Sequence, residues 1–204
     1  CEKIVKSREM AYIEFDILRL DVGEVYNDNT SGYEEGLLIL NGKCSVTGDG
    51  FDFSDIGGRM NVFGGKPYCV YLPFNTLYKI KALTDVEIAL CRTPSDLKSK
   101  PRLIKPEDVI AKDLGKDNWQ RKAYLILDER IDAKHIYIGE AIVPAGNWAG
   151  FPPHNMIMII CRTRSTWKRY TSTGLINLRG SAYRKYIPTT EASMRHIPLK
   201  MTIP

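Results

Sequence analysis

The 204-residue sequence is poor in histidine and has no clustered cysteines. Its only histidines are His135, His154 and His196, so none occurs before residue 135. The five cysteines form no C-x-x-C pair, and their odd number fits neither a disulfide framework nor a thiolate zinc cluster. We therefore expect free thiols in the reducing environment of a cytoplasmic protein.

Long apolar runs and a leader segment are also absent from the sequence. No run approaches the roughly 20 apolar residues that a membrane-spanning helix needs, and no charged and then apolar stretch opens the chain. These absences predict a protein with no membrane partner. Because the chain opens at Cys1 rather than Met, we expect a fragment or a processed form, with a lipid-anchored Cys1 as the weaker alternative.

The net charge of +5 comes entirely from the end of the chain. Up to His154 there are 20 Lys plus Arg against 23 Asp plus Glu, whereas from Asn155 onward there are 9 against 1. Basic residues among aromatic ones, as around Trp167 and Tyr170, are one pattern of nucleic-acid binding. Their spacing is irregular here, so we expect no nucleic-acid partner.

Short segments with apolar residues at alternating positions recur along the first half of the chain. Gly, Asn, Asp and Pro separate them at intervals of 8 to 12 residues. This rhythm predicts an all-β protein built as an antiparallel sandwich or barrel. The predicted strands are residues 10–20, 36–46, 67–73, 77–83 and 85–91. One connecting helix is predicted at Lys105-Pro106-Glu107-Asp108, where Pro occupies a first-turn position and acids follow.

A second β unit begins later in the chain. Strand patterns return at residues 123–127 and 136–143 and stop at the turn 144–150. We therefore predict an N-terminal domain over residues 1–115 and a C-terminal domain over residues 116–204, the latter native-like only to about residue 154.

Four segments resemble the 5-deoxy-glucuronate isomerase family of bacterial myo-inositol catabolism, whose members are two-domain cupins. These segments are Ile56–Phe63 with Gly65–Pro67, Thr84–Cys91, Arg102–Val109, and Gly146–Trp148 with Pro152–His154. They follow the family's order over about residues 10–154. The resemblance implies two cupin-type jelly-roll barrels, the second incomplete here. It also implies an aldose-ketose isomerisation that converts 5-deoxy-D-glucuronate to 5-dehydro-2-deoxy-D-gluconate.

The resemblance also implies a site in the second barrel. Such isomerases hold a divalent metal, here zinc or manganese, with imidazoles and a carboxylate, and His154 matches the first ligand position. The other ligands fall beyond His154, so we do not expect this chain to bind the metal. Arg121, with Gln120 beside it, and Asn147 and Trp148 are predicted to contact the sugar acid. An inter-domain pairing of Arg121 and a packing role for Trp148 are the alternatives, and no residue is assigned to catalysis.

The first barrel is expected to be metal-free. Tyr78 stands where the family resemblance would place a metal-binding His, and no His precedes His135. We expect this domain to be architectural, covering the catalytic barrel or forming a contact in a homo-oligomer. His135 is interpreted as structural.

The tail after His154 does not resemble the family, and the genetic code offers a reason. When each third codon base is read with the first two of the next codon, Met156-Ile157 and Met158-Ile159 give Asp, Trp167-Lys168 gives Glu and Met201-Thr202 gives Asp. The alternate frame, with permitted wobble bases, resembles the family's second cupin. We therefore predict a single-base shift near the codon for Asn155, and little or no isomerase activity in the printed chain.

Two other functions remain open on the sequence. One is the related isomerase of pectin breakdown, 5-dehydro-4-deoxy-glucuronate isomerase, which shares the fold and the chemistry. The other is a non-catalytic cupin that binds sugars. Each of them takes a small sugar acid as its partner.

Overall fold

The computed structural model describes residues 2–5 and 13–148, and they form thirteen strands and one short 3-10 turn, Asp117–Trp119. Cys1, His154, His196 and the predicted frame change at Asn155 lie outside these residues. The strands are β1 (Glu2–Val5), β2 (Glu14–Leu20), β3 (Val25–Asn29), β4 (Tyr33–Asn41), β5 (Lys43–Gly48), β6 (Phe51–Gly57), β7 (Cys69–Leu72), β8 (Leu77–Ala82), β9 (Val86–Pro94), β10 (Arg102–Ile104), β11 (Ile110–Leu114), β12 (Arg121–Leu127) and β13 (Ile138–Ile142).

Ten of these strands form two antiparallel sheets around one core. The larger sheet has the order β1-β2-β9-β4-β7-β10, and the smaller one has the order β3-β8-β5-β6. Alternation explains the packing, since along β8 Tyr78, Ile80 and Ala82 are buried while the residues between them are exposed. The inner faces bury a cluster that includes Leu37, Ile39, Val46, Ile80, Ile88 and Leu90. The all-β prediction is therefore confirmed.

The two central strands of the larger sheet are buried on both faces. Every residue of β4 from Glu34 to Leu40 is buried, and β9 is similar. Residues later in the sequence than the two sheets cover the outer face of these strands. Ile126, Ile136 and Ile138 pack there in one cluster with Leu38 and Ala89. This continuous burial is typical of a strand covered on both sides.

Of these residues, Ile126 and Ile138 belong to a third sheet, and Ile136 lies in the loop that leads into it. β12 lies between β11 and β13, with antiparallel pairing on both sides. β11 precedes residue 115 yet pairs with β12 along its whole length. The domain boundary between residues 115 and 116 stays a prediction.

The connecting helix predicted at Lys105 is wrong, because the structure has a single turn there. The backbone N–H of Lys105 donates to Asp108 Oδ2 at 3.0 Å, and that of Asp108 donates to the Lys105 carbonyl at 2.9 Å. Val109 is then buried in the outer core and Ile110 begins β11. Two consecutive β-branched residues favour the extended strand over a continued helix.

The predicted strand over residues 36–46 is two strands joined by a tight turn. Gly42 has a φ of +72°, and a Cβ there would lie 2.1 Å from the Asp85 carbonyl oxygen. Only glycine tolerates both the left-handed backbone and this close approach. Within the described part of the chain, no helix is long and apolar enough to span a membrane.

Candidate functional site

Three residues predicted to contact the substrate lie at one end of the third sheet. They are Arg121, Asn147 and Trp148. The Asn147 side-chain amide donates to the Gln120 carbonyl at 2.9 Å, and the Trp148 backbone N–H donates to the Asn118 carbonyl at 2.7 Å. Arg121 follows Gln120 directly, and its guanidinium donates to the Trp119 carbonyl at 3.5 Å. Hydrogen bonds thus connect the turn after β13 to the 3-10 turn before β12.

The environments of these three side chains differ. Asn147 uses its amide for the backbone contact, which gives it a structural task in this turn. Trp148 leaves 53% of its surface exposed, so its ring is accessible to a ligand. Arg121 is half-buried and stands opposite Leu114 in the sheet. The roles in substrate binding stay predictions, and His154 lies beyond the described residues.

The interior of the first barrel holds an ion cluster that the sequence analysis missed. The Arg92 guanidinium lies 2.8 Å from Glu35 Oε1, 2.7 Å from Asp28 Oδ2 and 3.2 Å from Asp16 Oδ2. The four side chains come from β9, β4, β3 and β2. On each strand the residue shares the alternate positions of the core residues, so it faces the barrel interior. The available signal was an Arg in the alternation of β9 whose other members, Val86, Ile88 and Leu90, are apolar.

Two tyrosines complete this cluster. The Tyr78 hydroxyl donates to Glu35 Oε2 at 3.0 Å, and the Tyr26 hydroxyl donates to Asp28 Oδ2 at 2.7 Å. Burial raises the pKa of Glu35 to about 7, although Arg92 and the Tyr78 hydroxyl act in the opposite direction. Burial and the Asp28 carboxylate raise the pKa of Tyr26 to about 12.

The cluster places a fixed cation inside the barrel. Over residues 13–148, no group of three or more His, Cys, Asp or Glu side chains has an arrangement that could hold a metal ion. The carboxylates near Arg92 are already engaged with its guanidinium, and a divalent ion there would face this positive charge. The donor set of the first barrel therefore does not fit a metal.

Arg59 joins the first barrel to the third sheet. Its guanidinium contacts the Glu140 carboxylate at 2.6 and 2.9 Å, and the two side chains are only 5% and 13% exposed. Arg59 also donates to the carbonyls of Ile39 and Gly65. Such a two-pronged contact fixes orientation as well as distance. The family-like segment Ile56–Phe63 thus contributes a structural connection to β13.

Glu34 makes a second connection on the outer face of β4. Its buried carboxylate accepts the backbone N–H groups of Lys134, His135 and Ile136 and the Tyr71 hydroxyl. His135, interpreted above as structural, is in the loop before β13, and its Nδ1 is buried with no hydrogen-bond partner among the described residues. Glu34 therefore fixes the backbone that leads into β13.

The fold and these sites define an all-β protein in which a two-sheet barrel is joined to a third, three-stranded sheet. The model of the KduI/IolB family matches residues 2–155. The chain belongs to the KduI/IolB family, and the resemblance inferred from the four segments is confirmed.

Named relatives agree with this assignment. The chain is 35% identical over 144 residues to the 5-deoxy-glucuronate isomerase of Geobacillus kaustophilus, which covers 70% of this chain and 52% of the relative. It is 32% identical over 155 residues to the 5-deoxy-glucuronate isomerase of Bacillus subtilis strain 168, over 75% of this chain and 57% of the relative. The chain thus matches about half the length of these relatives.

Solved structures share the fold. An IolB-like protein from Salmonella typhimurium LT2 is similar with a TM-score of 0.70 and 31% identity, over 72% of this chain and 57% of that one. A putative glyoxylate-induced protein from Pseudomonas aeruginosa has a TM-score of 0.52 at 12% identity, over 71% and 54% of the two chains. The second likeness concerns the fold alone.

Proposed function

We propose that this chain derives from a cytoplasmic isomerase that converts 5-deoxy-D-glucuronate to 5-dehydro-2-deoxy-D-gluconate. The observation that carries the proposal is the 35% identity over 144 residues to a protein named 5-deoxy-glucuronate isomerase. The Arg121, Asn147 and Trp148 cluster supports it, because a guanidinium matches a carboxylate and an exposed indole suits the face of a sugar.

The chemistry is a proton transfer between neighbouring carbons of the sugar. An aldose becomes a ketose when a base removes the proton beside the carbonyl and a proton returns to the carbonyl carbon through an enediol. A divalent metal such as zinc or manganese, bound in the second barrel with His154 as one ligand, would polarise the substrate oxygen. Arg121 would bind the carboxylate of the sugar acid. The hydrogen bond from the Asn147 amide to the Gln120 carbonyl would fix the turn that carries Trp148.

The first barrel has an architectural role in this proposal. Arg92 occupies its interior, and Arg59 and Glu34 connect it to the strand that leads toward the site. Association of copies through this barrel is the corresponding proposal for a homo-oligomer.

We propose that residues 155–204 are read in the wrong frame and that residues 116–204 derive from a second cupin barrel. The family match supports this because it ends at residue 155, where the charge pattern also changes. Resequencing the coding DNA across the codons for Pro152 to Met158 tests it. One additional or missing base there is expected, and an unchanged frame would overturn the frame proposal.

Activity is tested on the printed chain and on the chain with its frame restored. Turnover of 5-deoxy-D-glucuronate is expected in the restored chain and little or none in the printed one. Faster turnover of 5-dehydro-4-deoxy-glucuronate would favour the related isomerase of pectin breakdown. Tight sugar binding without turnover in the restored chain would favour a non-catalytic cupin and overturn the proposal.

An Arg121→Met variant of the restored chain tests the proposed carboxylate contact. We expect a raised KM for the sugar acid, because the guanidinium partner of the carboxylate is lost. Lys122→Met is the matched control, because Lys122 is the next residue in the chain and its side chain is half exposed beside Asp113. An equal rise of KM in both variants would contradict the assignment of Arg121.

A further inference from the structure

A cleft in the first barrel combines basic side chains with a glycine-rich wall. It has a volume of about 240 Å³ and lies between the loop after β6 and the turn at Pro106. Its wall contains Arg59, Lys66, Tyr68 and three glycines, and none of the described lining residues is acidic. This positive cleft stands out because residues up to His154 carry more acidic than basic side chains.

Hydrogen bonds hold the wall of this cleft in place. Gly57 and Gly58 have φ values of +105° and +111°, and the Gly58 N–H donates to the Gly42 carbonyl at 2.7 Å. The Gly42 N–H in turn donates to the Arg59 carbonyl at 3.1 Å. A wall fixed in this way does not have to be ordered when a ligand binds, which lowers the cost of binding.

The two cations of the cleft have different tasks. The Arg59 guanidinium is committed to Glu140 and to the carbonyls of Ile39 and Gly65. Lys66 is half-buried, and no carboxylate of the described residues forms an ion pair with its ammonium. A lysine that lines a cleft whose described wall has no acidic residue attracts an anion more strongly than a lysine already paired with a carboxylate. The Tyr68 phenol lines the same cleft and adds a hydrogen-bonding group to it.

We propose that this cleft binds a small carboxylate of monosaccharide size, with Lys66 as its charge partner. Its volume lies below the roughly 300 to 1,000 Å³ of pockets for drug-sized ligands, which suits a ligand of this size. The choice of a sugar acid as the carboxylate rests on the proposed function. The site itself is separate from the Arg121, Asn147 and Trp148 cluster, and its occupancy requires no turnover.

The proposal is tested by titrating the printed chain with D-glucuronate in a calorimeter. Saturable binding is expected for D-glucuronate, and none is expected for D-glucose, which is similar in size but uncharged. Inorganic phosphate is the third probe, because it separates a carboxylate site from a general anion site. Binding of phosphate without D-glucuronate, equal binding of D-glucose, or binding of none of the three would overturn the proposal.

A Lys66→Met variant identifies the charge partner. It keeps most of the aliphatic stem, and we expect the affinity for D-glucuronate to fall about tenfold or more, as for the loss of one charge-assisted hydrogen bond. Lys79→Met is the matched control, because Lys79 is exposed on the outer face of β8. Equal losses in the two variants, or none in Lys66→Met, would assign the binding to nonspecific charge.

One readout requires no variant. On addition of D-glucuronate, changes in amide chemical shift are expected at residues 57–68 and at Pro106's neighbours Lys105 and Glu107, and changes only elsewhere would overturn the proposal. The result is also separable from the isomerase proposal. If the chain with its frame restored has no turnover while Lys66-dependent binding is intact, only the proposed function fails. If the restored chain turns over its substrate without such binding, only this site fails.

Discussion

Arg59 and Glu140 form an almost fully buried ion pair with two contacts, at 2.6 and 2.9 Å, between the loop after β6 and strand β13. These residues are 81 positions apart in the sequence. Removing one partner of a buried pair leaves the other charge without compensation, which costs more than the intact pair contributes. This pair therefore couples the third sheet to the first barrel.

A Glu140→Gln variant should lower the free energy of unfolding by about 3 kcal/mol, since Arg59 would keep its charge in a buried site without an anion. Equilibrium unfolding in urea measures this loss. The matched control is Lys43→Met, which removes one partner of the exposed pair between Lys43 and Asp55, with side chains 43% and 67% exposed. Its cost should stay below about 1 kcal/mol, and equal costs would contradict a coupling role for Arg59 and Glu140.

Replacing Glu34 should loosen the loop before β13. The Glu34 carboxylate accepts three consecutive backbone N–H groups, and a Glu34→Gln substitution turns one acceptor into a donor that faces those groups. We expect a loss of about 2 kcal/mol and faster amide hydrogen exchange at residues 134–136.

The control for Glu34 is Tyr71→Phe, which removes the hydroxyl that donates to the same carboxylate at 3.0 Å. This variant leaves the three N–H contacts in place, so exchange at residues 134–136 should change little. Equal acceleration in both variants would show that Glu34 acts through general core packing.

The sequence predicted the regular strands well because their alternation is local. It predicted β8 within one residue, since every second side chain there enters the core. It missed the contact between Arg59 and Glu140 and the three charge partners of Arg92, because these depend on which strands become neighbours. The helix at Lys105 failed for a related reason, as burial of Val109 in the outer core outweighed the local capping signal.

Gly36 lies in β4 where the Ile138 side chain approaches the strand closely. A Cβ at Gly36 would lie 2.2 Å from Ile138 Cδ1, closer than nonbonded carbon atoms approach, so the end of the Ile138 side chain would have to shift. A Gly36→Ala variant should therefore be destabilised by about 1 to 3 kcal/mol through overpacking.

An Ile138→Val substitution provides the compensating change for Gly36→Ala. It removes the Cδ1 atom. The next atoms near a Cβ at residue 36 are then Ile136 Cδ1 at 3.5 Å and Ile138 Cγ1 at 3.6 Å, which are ordinary van der Waals distances. The double variant should recover part of the loss measured for Gly36→Ala alone in urea unfolding. If the two losses simply add, the clash with Ile138 is not the cause.

Glu35 should make the stability of the first barrel depend on pH near neutrality. Burial raises the pKa of its carboxyl from 4.5 to about 7, against the opposing effect of Arg92. Between these two pH values the folded chain holds a proton that the unfolded chain has lost. The stabilisation is therefore complete below about pH 4.5 and disappears as the pH rises through 7.

A Glu35→Gln variant isolates this effect, since its amide has the shape of the protonated carboxyl and does not titrate. Relative to the variant, the wild-type chain should lose on the order of 2 kcal/mol of unfolding free energy between pH 5 and pH 8. Glu107→Gln is the control, because that side chain is 69% exposed and its replacement should leave the pH profile of the wild type. Urea unfolding at pH 5, 6, 7 and 8 measures the three profiles. Parallel profiles for wild type and Glu35→Gln would show that Glu35 does not titrate in this range, and Arg92 would then hold it ionised throughout.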